Sequence, residues 1–179
     1  MDNKVKVHGK EFKLFLPKAK IEERIKKLAT IINITHHGKE PILFLSVLNG
    51  SFMFTTELVK HIYCPCEVQF LKVSSYNGTK RGELKIQSLL EEFDVKGKEI
   101  HLIEDIVDTG TTIEYLHKLL IDAGAKKVLI YTLLYKPHIY KKDIIIDYSC
   151  FSISDEFVVG YGLDYNQQGR NLTDIYQEC

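Results

Sequence analysis

No sign of charge prevails in this chain: 24 Lys and Arg face 24 Asp and Glu, for a formal net charge of zero. Without a basic excess the surface has no general pull toward nucleic acid or an anionic membrane, so neither is expected as a partner. Long apolar runs are also missing, and none approaches the roughly 20 residues of a membrane span. Residues 1–6 lack the apolar core of a signal peptide, which makes the cytoplasm the expected location. Cysteine is sparse and scattered, at positions 64, 66, 150 and 179. Cys64-Pro65-Cys66 lacks the two-residue spacer of a zinc knuckle or redox motif and has no matching second pair, so reduced structural thiols are expected. Internal repeats, low-complexity tracts and Pro/Gly-rich linkers are absent as well. Nothing cuts the chain, and 179 residues suit a single domain that buries about 70% of its unfolded surface.

What is present is an alternation of helical and strand-like segments. Pro17 opens a helix whose apolar face is Ile21, Ile25, Leu28, Ala29 and Ile32, with Gly38 and Pro41 at its exit. The continuous apolar run 42–47 reads as a strand buried on both faces. Asn49-Gly50-Ser51 turns the chain into a helix over 52–61, and 68–73 reads as the next strand. Residues 74–87 are polar and glycine-punctuated, a surface loop or hairpin of the kind used as an active-site lid. A third strand over 99–103 leads to a loop and a helix over 112–123, stopped by Gly124, and then to a strand over 128–134. Apolar runs follow at 144–146 and 157–159. The fold class this predicts is α/β, an open and mostly parallel sheet flanked by helices, whose ligands sit beyond the C-terminal strand ends. Asn49, the Glu104-Asp105 pair and Lys136 would each lie just past a strand, on that one edge.

The stretch from Ile100 to Ile113 carries the chemistry. An apolar run ends in Glu104-Asp105, and Asp108-Thr109-Gly110-Thr111-Thr112 then opens a helix. A hydroxyl-rich turn at a helix N-terminus offers free N–H groups and partial positive charge to a phosphate. The acids ahead of it suit sugar hydroxyls or a hydrated Mg²⁺ instead. Together they read as a grip on a sugar phosphate.

This stretch resembles the signature of the phosphoribosyltransferases, enzymes that use 5-phosphoribosyl 1-pyrophosphate (PRPP). In that pattern two acids precede an Asp-Thr-Gly-x-Thr loop that holds the 5′-phosphate, and this sequence fits at every position. Leu133-Leu134-Tyr135-Lys136-Pro137 and the segment from Asp155 to Tyr165 are similar to the base-binding segments of the hypoxanthine-guanine phosphoribosyltransferases. Arg170, six residues past Asp164, fits as well, and the likeness runs in order from about residue 40 to residue 176. It implies one phosphoribosyltransferase domain over residues 1–179, with a mobile loop at 74–87, a base-binding hood over about 150–179, and a homodimer or homotetramer.

The same resemblance assigns roles. Glu104 and Asp105 hold the ribose and, with Asp164, a Mg²⁺ ion. Asp108, Thr109, Gly110, Thr111 and Thr112 form the phosphate loop, with Asp108 as general acid/base near purine N7. Lys136, Phe157 and Val158 bind the purine. An ammonium only donates, so Lys136 suits a 6-oxo group and would confront the 6-amino group of adenine; as a lone lysine after a strand it could equally be a solvated surface cation. Phe157 could likewise be an ordinary core residue. Leu48, Asn49, Gly50 and Arg170 belong to the pyrophosphate end, where relatives often have a cis peptide between the first two residues and lysine at the second. Ser75 and Tyr76 match the tip of the mobile loop. The implied reaction transfers the 5-phosphoribosyl group of PRPP to N9 of hypoxanthine or guanine, releasing pyrophosphate, through an oxocarbenium-like state. Left open beside it are a PRPP-binding regulator of the same fold and a phosphoribosyltransferase for another base.

Overall fold

The computed structural model describes residues 4–75, 84–87 and 94–179. Its centre is a six-stranded sheet built on β3 (Ile42–Leu48), β4 (Cys66–Ser75), β5 (Leu84–Gln87), β6 (Glu99–Val107), β7 (Lys127–Tyr135) and β8 (Tyr148–Ser152), in the order β5-β4-β3-β6-β7-β8. All neighbours are parallel except β5, which returns antiparallel to β4. Two faces are apolar because successive side chains alternate across a strand. From β3, Ile42 and Phe44 enter the core beneath α1 (Lys18–His36) and α2 (Phe52–Val59). Leu43, Leu45 and Val47 enter the opposite core, which α3 (Thr111–Asp122) covers with Ile113, Leu116 and Leu120. The predicted face of α1 is buried at every position. Among the described residues no helix is long and apolar enough to cross a membrane.

Three expectations change. First, Glu104 and Asp105 do not follow β6 but lie within it. The cause is unequal pairing: β6 stays hydrogen-bonded to β7 through Val107↔Tyr135, whereas β3 leaves it after Ser46↔Ile103. The acids therefore occupy a stretch of strand with one side open. Second, residues 144–146 form no strand. Ile145 is exposed, and Asp147 accepts a hydrogen bond from the Ile130 N–H at 2.7 Å just before β8 begins. Third, Val158–Val159 (β9) joins a separate antiparallel sheet with β1 (Lys4–Val7), β2 (Lys10–Leu16) and β10 (Ile175–Glu178), in the order β1-β2-β10-β9. This hood draws on both termini, while residues 148–152 belong to the central sheet. Val7, Phe12 and Val159 form its small core.

Candidate active site

Where β3 and β6 part, the chain after β3 turns through Asn49 and Gly50, and the Leu48–Asn49 peptide is cis. A buried hydroxyl cluster braces the turn from below: Ser46 Oγ lies 2.7 Å from Ser51 Oγ and 2.6 Å from Thr55 Oγ1. Gly50 packs against the neighbouring strand so closely that a Cβ there would overlap the Asp105 carboxylate. The cis turn and the acid pair thus form one wall.

Glu104 is 9% exposed, and its Oε2 has no hydrogen-bond partner among the described residues. Burial, with Asp105 alongside, holds its carboxyl well above the usual range. Burial also raises Asp105, against the opposing effects of Glu104, the Ile106 N–H at 2.8 Å and the Arg170 charge. A buried oxygen without a partner is costly unless something supplies a donor or a positive charge. The pair can therefore accept sugar hydroxyls or a hard, oxygen-seeking cation.

Beyond β6, Gly110 stands at the N-terminus of α3 with φ +82°, a conformation that favours glycine, and the Tyr140 ring occupies the space a Cβ would take. Thr109 Oγ1 lies 3.2 Å from Thr111 Oγ1 at the rim. Asp108 is half-exposed, with Oδ2 3.9 Å from Lys136 Nζ. Lys136 is 7% exposed, and its one hydrogen bond from Nζ among the described residues is a long one, 3.4 Å to the Asp155 carbonyl. Its backbone N–H donates to Val107 O at 2.9 Å, which fixes the lysine beside the end of β6.

From the hood, Phe157 is 43% exposed and meets Tyr165 edge-on at 5.6 Å, so it is not a core residue. Val158 is buried in β9. Asp164 is bonded to Arg170 at 2.7 Å and accepts the Gln167 N–H at 2.7 Å. A pocket of about 230 Å³ collects Leu48, Asn49, Gly50, Glu104, Asp105, Thr112, Asp164 and Arg170, with Val47 and Val73. Lys136, Asp108, Phe157 and Val158 stand outside that lining. Ser75 is the last residue of β4, paired with Leu84, and Tyr76 lies outside the described residues.

Sequence reasoning missed two supports. Ser46 passed as one more member of an apolar strand. Gly162 has φ +100°, and a Cβ on it would overlap the Gly50 carbonyl, so the hood touches the turn through two glycines. The Gly-Tyr-Gly spacing at 160–162 was the available signal, since Gly160 also has positive φ.

The chain matches the family model described as a phosphoribosyl transferase domain over residues 15–166. It is 44% identical over 161 residues to the hypoxanthine-guanine phosphoribosyltransferase of Lactococcus lactis, covering 89% of this chain and 87% of that one. The Aquifex aeolicus protein of the same name is 38% identical over 172 residues, with coverage of 95% and 96%. Among solved structures, a hypoxanthine phosphoribosyltransferase from Staphylococcus aureus superposes with a TM-score of 0.86 at 36% identity, covering 93% of this chain and 91% of that one. The Trypanosoma cruzi hypoxanthine phosphoribosyl transferase gives 0.87 at 31% identity, with coverage of 98% and 95%.

Proposed function

Since the chain belongs to the phosphoribosyltransferase family and is about 40% identical to hypoxanthine-guanine members over most of its length, we propose that it is a purine salvage enzyme. It transfers the 5-phosphoribosyl group of PRPP to N9 of hypoxanthine or guanine and releases pyrophosphate. The observation that carries the base assignment is Lys136, a buried ammonium with donors to spare beside the end of β6. A 6-oxo group satisfies those donors, whereas the 6-amino group of adenine would leave them facing another donor.

The residues divide the work by charge. Thr109, Gly110, Thr111 and Thr112 hold the 5′-phosphate at the start of α3. Glu104 and Asp105 accept the ribose hydroxyls, and their negative charge favours the cationic ring as the C1–O bond breaks. Asp108 takes or gives the proton at purine N7. Phe157 stacks on the base, Val158 reads its edge through backbone groups, and Arg170 with the Leu48-Asn49-Gly50 turn receives the pyrophosphate. Asn49 brings no cation to that end, so Arg170 is the cation there among the described residues lining the pocket. Ser75 and Tyr76 cover the reacting centre against water.

The acid pair and its unpartnered Glu104 oxygen fit Mg²⁺, as an all-oxygen donor set does. Glu104, Asp105 and Asp164 would hold it, Asp164 by releasing Arg170. When bound, it supplies neutralisation of the leaving pyrophosphate. We place the enzyme in the cytoplasm, in keeping with four free thiols, and assign it a homodimer or homotetramer.

The test is direct. The protein is mixed with PRPP, Mg²⁺ and each of hypoxanthine, guanine, xanthine and adenine, and nucleoside 5′-monophosphate is quantified. Inosine or guanosine monophosphate, without adenosine monophosphate, is the expected result. Folded protein that binds PRPP but forms no product would instead be a PRPP-responsive regulator or act on a pyrimidine.

A further inference from the structure

At the opposite end of β6 from the acid pair stands a second cluster that the transfer reaction does not use. Glu99 is the first residue of β6, His101 the third, and His36 the last residue of α1. Glu99 Oε1 lies 3.1 Å from His36 Nε2 and 3.4 Å from His101 Nε2, and one ligand atom from each residue falls within 4.8 Å of the other two. In a tetrahedral zinc shell with bonds of about 2.0–2.1 Å, adjacent ligand atoms stand about 3.3 Å apart. The two observed separations bracket that edge length. Six residues of strand, roughly 20 Å, separate Glu99 from Asp105.

The contacts around His36 suit a metal ligand. His36 Nδ1 lies 3.1 Å from the Ile32 carbonyl, which can only accept a hydrogen bond. The Thr35 hydroxyl, 3.0 Å from the same nitrogen, has the carbonyls of Ile31 and Ile32 to donate to and can accept there too. A proton on Nδ1 leaves Nε2 free to ligate an ion that Glu99 Oε1, 3.1 Å away, can also reach. Donation of the remaining ring N–H to a backbone carbonyl is also the usual support of a metal-bound histidine.

His101 is 1% exposed, stacked on Tyr131 at 5.4 Å and edge-on to Phe44 at 5.5 Å, and its Nδ1 has no partner among the described residues. The Glu99 side chain is 38% exposed, which leaves an approach for the ion and room for water. Two imidazoles and one carboxylate suit zinc and its neighbours, not Mg²⁺ or Ca²⁺.

We propose that His36, Glu99 and His101 form a binding site for one zinc-type divalent ion, completed by water, that clamps the end of α1 to the start of β6. The site is independent of the transfer reaction. To test it, the full chain is stripped with chelator, dialysed, and titrated with Co²⁺ in excess Mg²⁺ while visible absorption and thermal unfolding are followed. The expected result is one equivalent of tetrahedral Co²⁺, displaced by Zn²⁺, with a metal-dependent rise in Tm. Glu99→Gln keeps hydrogen-bonding capacity at a half-exposed position and so preserves the fold; it and His36→Gln should each weaken binding by about 100-fold or more. Purine transfer in Mg²⁺ should stay unchanged in Glu99→Gln. Absence of stoichiometric binding overturns the proposal, as does binding that persists in both variants or a thiolate-to-cobalt band that places the ion on Cys64 and Cys66.

Discussion

An ammonium held at 7% exposure with one long hydrogen bond among the described residues is an unfavourable state, and Lys136 is kept in it beside Asp108. A hydrogen bond to a charged group contributes about 1.5–3 kcal/mol, or roughly 10- to 150-fold in affinity. Lys136→Ala should therefore raise KM for hypoxanthine by about that factor and move KM for PRPP by no more than about threefold; equal losses would remove Lys136 from the base site. Asp108→Asn should retain PRPP binding and lower single-turnover rates about 100-fold. At Glu104 the direction reverses. Its raised carboxyl binds a proton more readily folded than unfolded, so stability of the metal-free protein falls as pH rises from the ordinary carboxylate range. Glu104→Gln, which can donate to Asp105, should stabilise the metal-free protein at neutral pH by about 1–3 kcal/mol, with the gain shrinking toward pH 4, while abolishing turnover. Denaturant titrations at several pH values check both signs. Lys136 was recognisable from its motif, but its burial was not.

Elements position these groups by ending at different places. β6 outlasts β3 on one side and stays paired with β7 on the other, which exposes one flank of Glu104 and Asp105 to the Asn49-Gly50 turn. The contact of Gly162 with the Gly50 carbonyl then closes the pocket from the hood. Gly162→Ala meets both a positive φ and an occupied space, and should cost about 1–3 kcal/mol and raise KM for PRPP several-fold. Gly9→Ala is the control, since φ there is +80° but nothing lies within 4 Å of the added carbon. It should cost stability alone. Thermal unfolding and steady-state kinetics on the pair separate strain from displacement of the turn. The α1 face and the β3 run were legible because helical and strand periodicities are local properties. The point where two strands part was not, because it depends on the length of both partners.

For the molecule as a whole, the hood is the unit joined from the most distant parts of the chain: β2, near the start, pairs with β10, near the end. Phe12, fully buried, anchors that junction and lies 6.4 Å from both Phe157 and Tyr165. Phe12→Ala should destabilise by about 3–5 kcal/mol and raise KM for the purine more than for PRPP. Chemical denaturation and kinetics measure the two effects, and an unchanged stability would mean that the hood folds apart from the central sheet.

Residues that act as neighbours in the chain were readable without coordinates. The acid pair, the Asp-Thr-Gly-Thr-Thr loop and the helix behind it form one contiguous stretch, and its order specifies both family and fold class. The apolar faces of the helices and the doubly buried strands follow from spacing alone. Tertiary structure decided which distant groups meet: Gly50 against Asp105, Gly162 against Gly50, Arg170 on Asp164, both termini in one hood, and His36 with Glu99 and His101. The physical reason is that periodicity records which way a side chain faces, whereas burial and pairing arise only when segments far apart in sequence exclude water together.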